Sequence, residues 1–199
     1  MVGLIGPIAG GKSVILETLA RCGAATIKAD DISRELLVPG SRHLEAVVNA
    51  FGRQFLGPDG ELKRKALGAA IFEDARARRK LNRLLHPAMV ARMRERLEEL
   101  EEQGRSVAVI EAANLVEMGG LELVDRVVMV TAPREERLRR LMARDGISRS
   151  QAERVVRVHE EMGIEETEAD YTMETSGKEE ETRRKAELLW RKLVEESEV

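Results

Sequence analysis

Gly6-Pro7-Ile8-Ala9-Gly10-Gly11-Lys12-Ser13 is the stretch that decides the fold of this 199-residue chain. It matches G-x-x-x-x-G-K-[ST], a loop in which glycines let backbone N–H groups turn inward around phosphate oxygens. Val2 to Ile5, just before it, is an apolar run that reads as a buried strand. Lys12 to Cys22, just after it, carries apolar residues at Val14, Ile15, Leu19 and Cys22, a helical spacing, with Gly23 placed to end the helix. Strand, glycine loop and helix in that order aim the positive helix end at a bound anion. Ile8, Ala9, Gly10, Gly11, Lys12, Ser13 and Val14 are therefore the candidate triphosphate-binding set. Lys12 is placed to reach the β- and γ-phosphates, and the Ser13 hydroxyl to ligate Mg²⁺. The bland alternative is a glycine-rich turn with an incidental Lys-Ser.

Outward from this motif, Ala24 to Lys28 reads as a second strand ending at Asp30-Asp31. Ile32 to Gly104 is mostly helical, with breaks expected at Pro39-Gly40, at Gly57-Pro58-Asp59-Gly60 and at His86-Pro87. Ser106 to Ala112 and Val124 to Thr131 are valine-rich and read as central strands. Pro133 to Arg144 and Ser148 to Met162 read as helices, the second capped by Ser148. Tyr171 to Met173 reads as a short last strand, and Lys178 to Glu196 as an amphipathic helix. The layout is α/β: a parallel central sheet flanked by helices, with a helical insertion after its second strand.

Composition narrows the partners. Net charge is −3, which argues against a general nucleic-acid-binding surface. Of 33 basic residues, 25 are Arg and 8 are Lys, a skew that fits either base composition or a phosphate-binding set. Cys22 is the only cysteine, so neither an intrachain disulfide nor a cysteine zinc site is available. No run approaches 18 apolar residues and MVGLIG is not a secretory leader, so the expected setting is soluble and cytoplasmic, without a membrane partner.

Three further groups are candidates for chemistry. Asp30, at the carboxyl edge of the sheet, could orient or deprotonate an acceptor hydroxyl, while Asp31 could cap a helix starting at Ile32. Glu111 ends a valine-rich strand, where it either holds Mg²⁺ through water or merely terminates the strand. Arg137, Arg140 and Arg144 share one helix face by the i+3 and i+4 rule, and Arg140 and Arg144 are the candidates to meet phosphate charge from a mobile arm. His43, His86 and His159 show no metal-ligand spacing.

Taken together, these segments resemble the dephospho-coenzyme A kinase family. VGLIGPIAGGKS is similar to its phosphate loop and IKADDISREL to its acidic segment, usually I-D-A-D-x-I-A-R. VPG, FG-x-x-x-L-x-x-DG-x-L-x-R and L-x-x-x-IF, LLHPAM, VIEAANLVE, RLRRLMARDGIS and ADYTMETSG follow in the family's order, over roughly residues 1–180. The resemblance implies a P-loop kinase with a helical acceptor domain and a lid, transferring the γ-phosphate of ATP to the 3′-hydroxyl of dephospho-coenzyme A with Mg²⁺. It implies a nucleotide-binding core over residues 1–31, 105–135 and 165–199, an acceptor domain over 32–104 and a lid over 136–164.

Carried over by position, Asp30 falls on the acidic residue that handles the acceptor hydroxyl, making Asp30, Lys12 and Arg140 the catalytic candidates. Arg64 and His86 fall on the acceptor side, Arg140 and Arg144 on the lid arginines beside ATP, and Thr175 near the adenine. The chain departs from the family pattern at Lys28 and Glu111, at Ala113-Asn114-Leu115, at Val155 and His159, and at Thr175. A kinase for another small acceptor, such as a nucleotide or alcohol, and a non-catalytic nucleotide-binding regulator are the alternatives. A monomer is the favoured state.

Overall fold

The computed structural model describes residues 1–72, 74–161 and 169–197. The chain forms two compact units, Met1–Lys28 with Arg96–Val199, and Ala29–Glu95.

The first unit is built on five parallel strands in the order β2-β3-β1-β4-β5. These are β1 (Val2–Ile5), β2 (Ala25–Lys28), β3 (Ala108–Glu111), β4 (Arg126–Thr131) and β5 (Tyr171–Glu174). β1 is buried along its whole length, as the centre of a parallel sheet covered on both faces requires. α1 (Lys12–Cys22) and α8 (Glu179–Ser197) cover one face. There Ile15, Leu16 and Leu19 meet Leu4, Val109, Val128, Ala186 and Leu189 in one core. The register aligns Lys28, Glu111, Leu4, Val128 and Tyr171 in a single row across the five strands. α6 (Arg134–Asp145) and α7 (Arg149–Glu161) complete this unit, joined by a core of Leu138, Leu141, Ala152 and Val156. Ser148 caps α7 as expected: its hydroxyl accepts from the Gln151 N–H at 3.3 Å while Gln151 returns to the Ser148 N–H at 2.8 Å, a reciprocal capping box. Met162, expected at the end of this helix, lies outside the described residues.

The second unit is helical: α2 (Ala29–Leu36), α3 (Arg42–Phe51), α4 (Arg64–Ile71) and the start of α5 (Ala75–Glu102). Three expectations fail here. Asp30 and Asp31 do not end the second strand, because β2 stops at Lys28 and α2 begins directly at Ala29. Asp31 is consequently not a helix cap; it lies in the first turn and accepts from Arg34 at 2.6 Å. Acidic residues in a first turn are favoured by the helix dipole, so Asp30 and Asp31 are compatible with a helix that starts this early. The break at His86-Pro87 is also absent, and α5 runs through Pro87 for 28 residues. Proline forfeits one helical hydrogen bond. Leu85, Met89, Met93 and Leu97, each four residues apart, are all buried, and that apolar stripe outweighs the lost bond. Among the described residues, no helix is long and apolar enough to cross a membrane.

Candidate active site

The loop between β1 and α1 owes its shape to two glycines. Gly6 has φ 146°, and a Cβ there would stand 2.4 Å from the Val130 carbonyl oxygen. Gly11, at φ 95°, lies so close to Thr175 that a Cβ would be 2.8 Å from its Oγ1. No other residue fits either place without moving backbone or a buried side chain.

Every carbonyl from Gly6 to Gly10 accepts a hydrogen bond from a side chain. The buried Lys12 ammonium donates to Gly6 O at 2.8 Å and Pro7 O at 3.0 Å. Arg137 Nε donates to Ile8 O at 3.1 Å, Arg140 Nη1 to Ala9 O at 3.3 Å, and Thr175 Oγ1 to Gly10 O at 2.6 Å. The side chains of Ile8 and Ala9 pack on the α6–α7 core. Ser13 is exposed in the first turn of α1, beside the half-buried Val14.

Arg140, half-buried on α6, links three elements. Its Nε holds Glu136 at 2.9 Å, its Nη1 donates to Thr175 Oγ1 at 2.9 Å, and its Nη2 donates to the Thr175 carbonyl. Hydrogen bonding from Arg139, with the charge of Arg140 behind it, holds the Glu136 carboxyl below the ordinary carboxylate range. Arg144 sits differently: it is exposed at the end of α6 and forms a two-pronged pair with Asp145 at 2.7 and 2.8 Å, which raises its pKa. A cavity of about 240 Å³ opens beside the loop, lined by Gly11, Val14, Arg140, Thr175, Gly177 and Thr182 among others.

Glu111 is the last residue of β3, in register with Leu4 of β1 and Lys28 of β2. Ser13 and Glu111 both offer hard oxygen donors. That is the donor chemistry Mg²⁺ accepts when most of its shell is water and phosphate, so each residue is of a type that could serve such an ion.

In the helical unit, Asp30 is exposed in the first turn of α2. Arg64 opens α4 and donates to the Arg34 carbonyl at 3.3 Å. Burial, and then the charge of Arg34, lowers the Arg64 pKa, with Glu61 and Asp30 pulling the other way. Asp30 and Arg64 thus feel each other's charge. His86 lies half-buried in the middle of α5, not in a turn.

The residue that sequence reasoning passed over is Arg137. It shared a face with Arg140 and Arg144 but looked like one more member of a basic run. Its burial, 6% exposed, separates it from them. The available signal was its place one position before Leu138, at the start of the apolar stripe that α6 turns inward.

The dephospho-CoA kinase family model matches residues 1–181. A dephospho-CoA kinase from Geobacter sulfurreducens is 43% identical over 194 residues, covering 96% of this chain and 98% of that one. Among solved structures, TT1252 from Thermus thermophilus is similar with a TM-score of 0.72 at 26% identity, over 96% of each chain. Dephospho-CoA kinase from Campylobacter jejuni shares the fold with a TM-score of 0.62 at 22% identity, again over 96% of each chain. With the family model and the 43%-identical relative both spanning nearly all of it, the chain belongs to the dephospho-CoA kinase family.

Proposed function

We propose that this protein is an ATP-dependent kinase of dephospho-coenzyme A, transferring the γ-phosphoryl group to the ribose 3′-hydroxyl and releasing coenzyme A and ADP in the last step of coenzyme A biosynthesis. The observation that supports it best is the phosphate loop, with all its carbonyls from Gly6 to Gly10 tied back by side chains, in a chain of this family. The cavity bounded by Gly11, Val14, Thr175 and Gly177 is of a size to take the nucleotide's base.

Lys12 and the loop amides hold the β- and γ-phosphates. Ser13 and Glu111 hold Mg²⁺, which when bound screens the phosphate charge. Asp30 orients the acceptor hydroxyl and receives its proton as the new P–O bond forms and the bond to the β-phosphate oxygen breaks. Arg64 and His86 bind the acceptor, and Arg140 and Arg144 sit on the ATP side, in the segment 136–164 read as a lid. Because the transition state of phosphoryl transfer is loose, positioning matters more than the strength of the base. A coupled ADP-release assay tests this: turnover is expected with dephospho-coenzyme A. Turnover with a nucleoside monophosphate or a small alcohol, and none with dephospho-coenzyme A, would overturn the acceptor assignment.

A further inference from the structure

We infer that Arg137 and Thr175 are positioning residues: they hold the phosphate loop in its anion-binding shape by occupying its carbonyls from behind. The geometry follows from the peptide unit. A planar trans peptide points each C=O opposite to the N–H of the next residue. Fixing Ile8 O on Arg137 therefore turns the Ala9 N–H the other way, and fixing Gly10 O on Thr175 does the same for the Gly11 N–H. The Gly10 N–H is used within the loop itself, on Pro7 O at 3.0 Å. Arg137 and Thr175 thus each set one of the amides flanking that turn.

Both side chains are built into the fold for this role. Thr175 is 1% exposed, directly follows β5, and takes a hydrogen bond from Arg140 while giving its own to Gly10 O. Its backbone N–H is secured on Thr131 O at 2.9 Å, so the hydroxyl is presented from the sheet itself. Arg137 is tied on its far side to Glu160 of α7 at 3.1 Å. Its third nitrogen, Nη2, is buried with no hydrogen-bond partner among the described residues. An incompletely satisfied buried guanidinium costs stability, and an apolar side chain would pack this position more cheaply. Its contact with Ile8 O gives it a role that packing alone does not. Thr175 also lines the cavity beside the loop, but its hydroxyl proton is given to Gly10 O, so the role inferred for it is on the loop.

The inference rests on the loop being a triphosphate site but is independent of the acceptor, since the test contains none. Binding of MgATP and of inorganic tripolyphosphate is measured by calorimetry for wild type, T175V, T175S and R137M, with thermal unfolding as a check on folding. T175V and R137M are expected to weaken both ligands by about tenfold, the scale of one hydrogen bond to a charged system. T175S, which keeps the hydroxyl, is expected to bind both within about twofold of wild type. If T175V weakens ATP but leaves tripolyphosphate unchanged, Thr175 touches the base and the inference fails. It also fails if R137M and T175V bind tripolyphosphate like wild type, or if T175S is as weak as T175V.

Discussion

Gly11 shows how little room the nucleotide side leaves at the scale of single residues. With φ at 95° and Thr175 Oγ1 at 2.8 Å from any added Cβ, G11A must displace the side chain that holds Gly10 O. A destabilisation of about 1–3 kcal/mol is expected, together with loss of ATP binding, read from urea unfolding midpoints and calorimetry. Glu136 supplies a pH prediction. Its folded pKa lies below its ordinary 4.5, chiefly through the hydrogen bond from Arg139, so its contribution is present above the unfolded pKa and lost as pH falls through the folded one. Thermal midpoints of wild type and E136Q should therefore differ at neutral pH and converge on acidification; parallel curves would contradict it. The phosphate loop could be read from the sequence because its function demands particular residues at fixed spacing. Arg137 was not singled out, because a basic run by itself does not say which of its members faces inward; only its place at the start of the Leu138 and Leu141 stripe does.

Elements carry the same lesson in their packing. The helix of Lys12–Cys22 and the strand of Val2–Ile5 follow the bounds that periodicity assigns, since local pattern and burial agree there. α5 does not, because long-range burial of Leu85, Met89, Met93 and Leu97 overrides the local preference of Pro87 to stop a helix. P87A gives the Arg83 carbonyl its helical donor back and should raise stability by about 1–3 kcal/mol, measured by urea unfolding. A destabilised P87A would mean that the proline ring is itself packed to advantage. The α6–α7 core is the other element-scale test. Leu138 and Val156 are fully buried against one another's helices and beside Ile8 and Ala9. L138A should cost about 2–5 kcal/mol and weaken ATP binding as well, because the loop loses the surface it rests on.

At the scale of the whole molecule, charge is unevenly divided. The unit Ala29–Glu95 holds 13 Lys and Arg against nine Asp and Glu, a net +4, so the remainder of this −3 chain carries −7. The net value read from composition concealed that basic unit, the one proposed to take the acceptor. R64A should raise the KM for dephospho-coenzyme A about tenfold and leave the KM for ATP unchanged, and added salt should raise the acceptor KM in wild type. The parallel sheet with its helical insertion was legible from strand and helix order. Asp30 was legible as a candidate, but its setting was not, because the early start of α2 depends on how the chain packs after Lys28. The most direct test of the account is the steady-state yield of coenzyme A and ADP from dephospho-coenzyme A and MgATP, for wild type and D30N, with products identified by mass. Wild type should form the two products one to one, and D30N should lose about 10²–10⁴ in kcat while unfolding at the wild-type temperature. No coenzyme A from the wild-type protein, or an undiminished kcat in D30N, would contradict it.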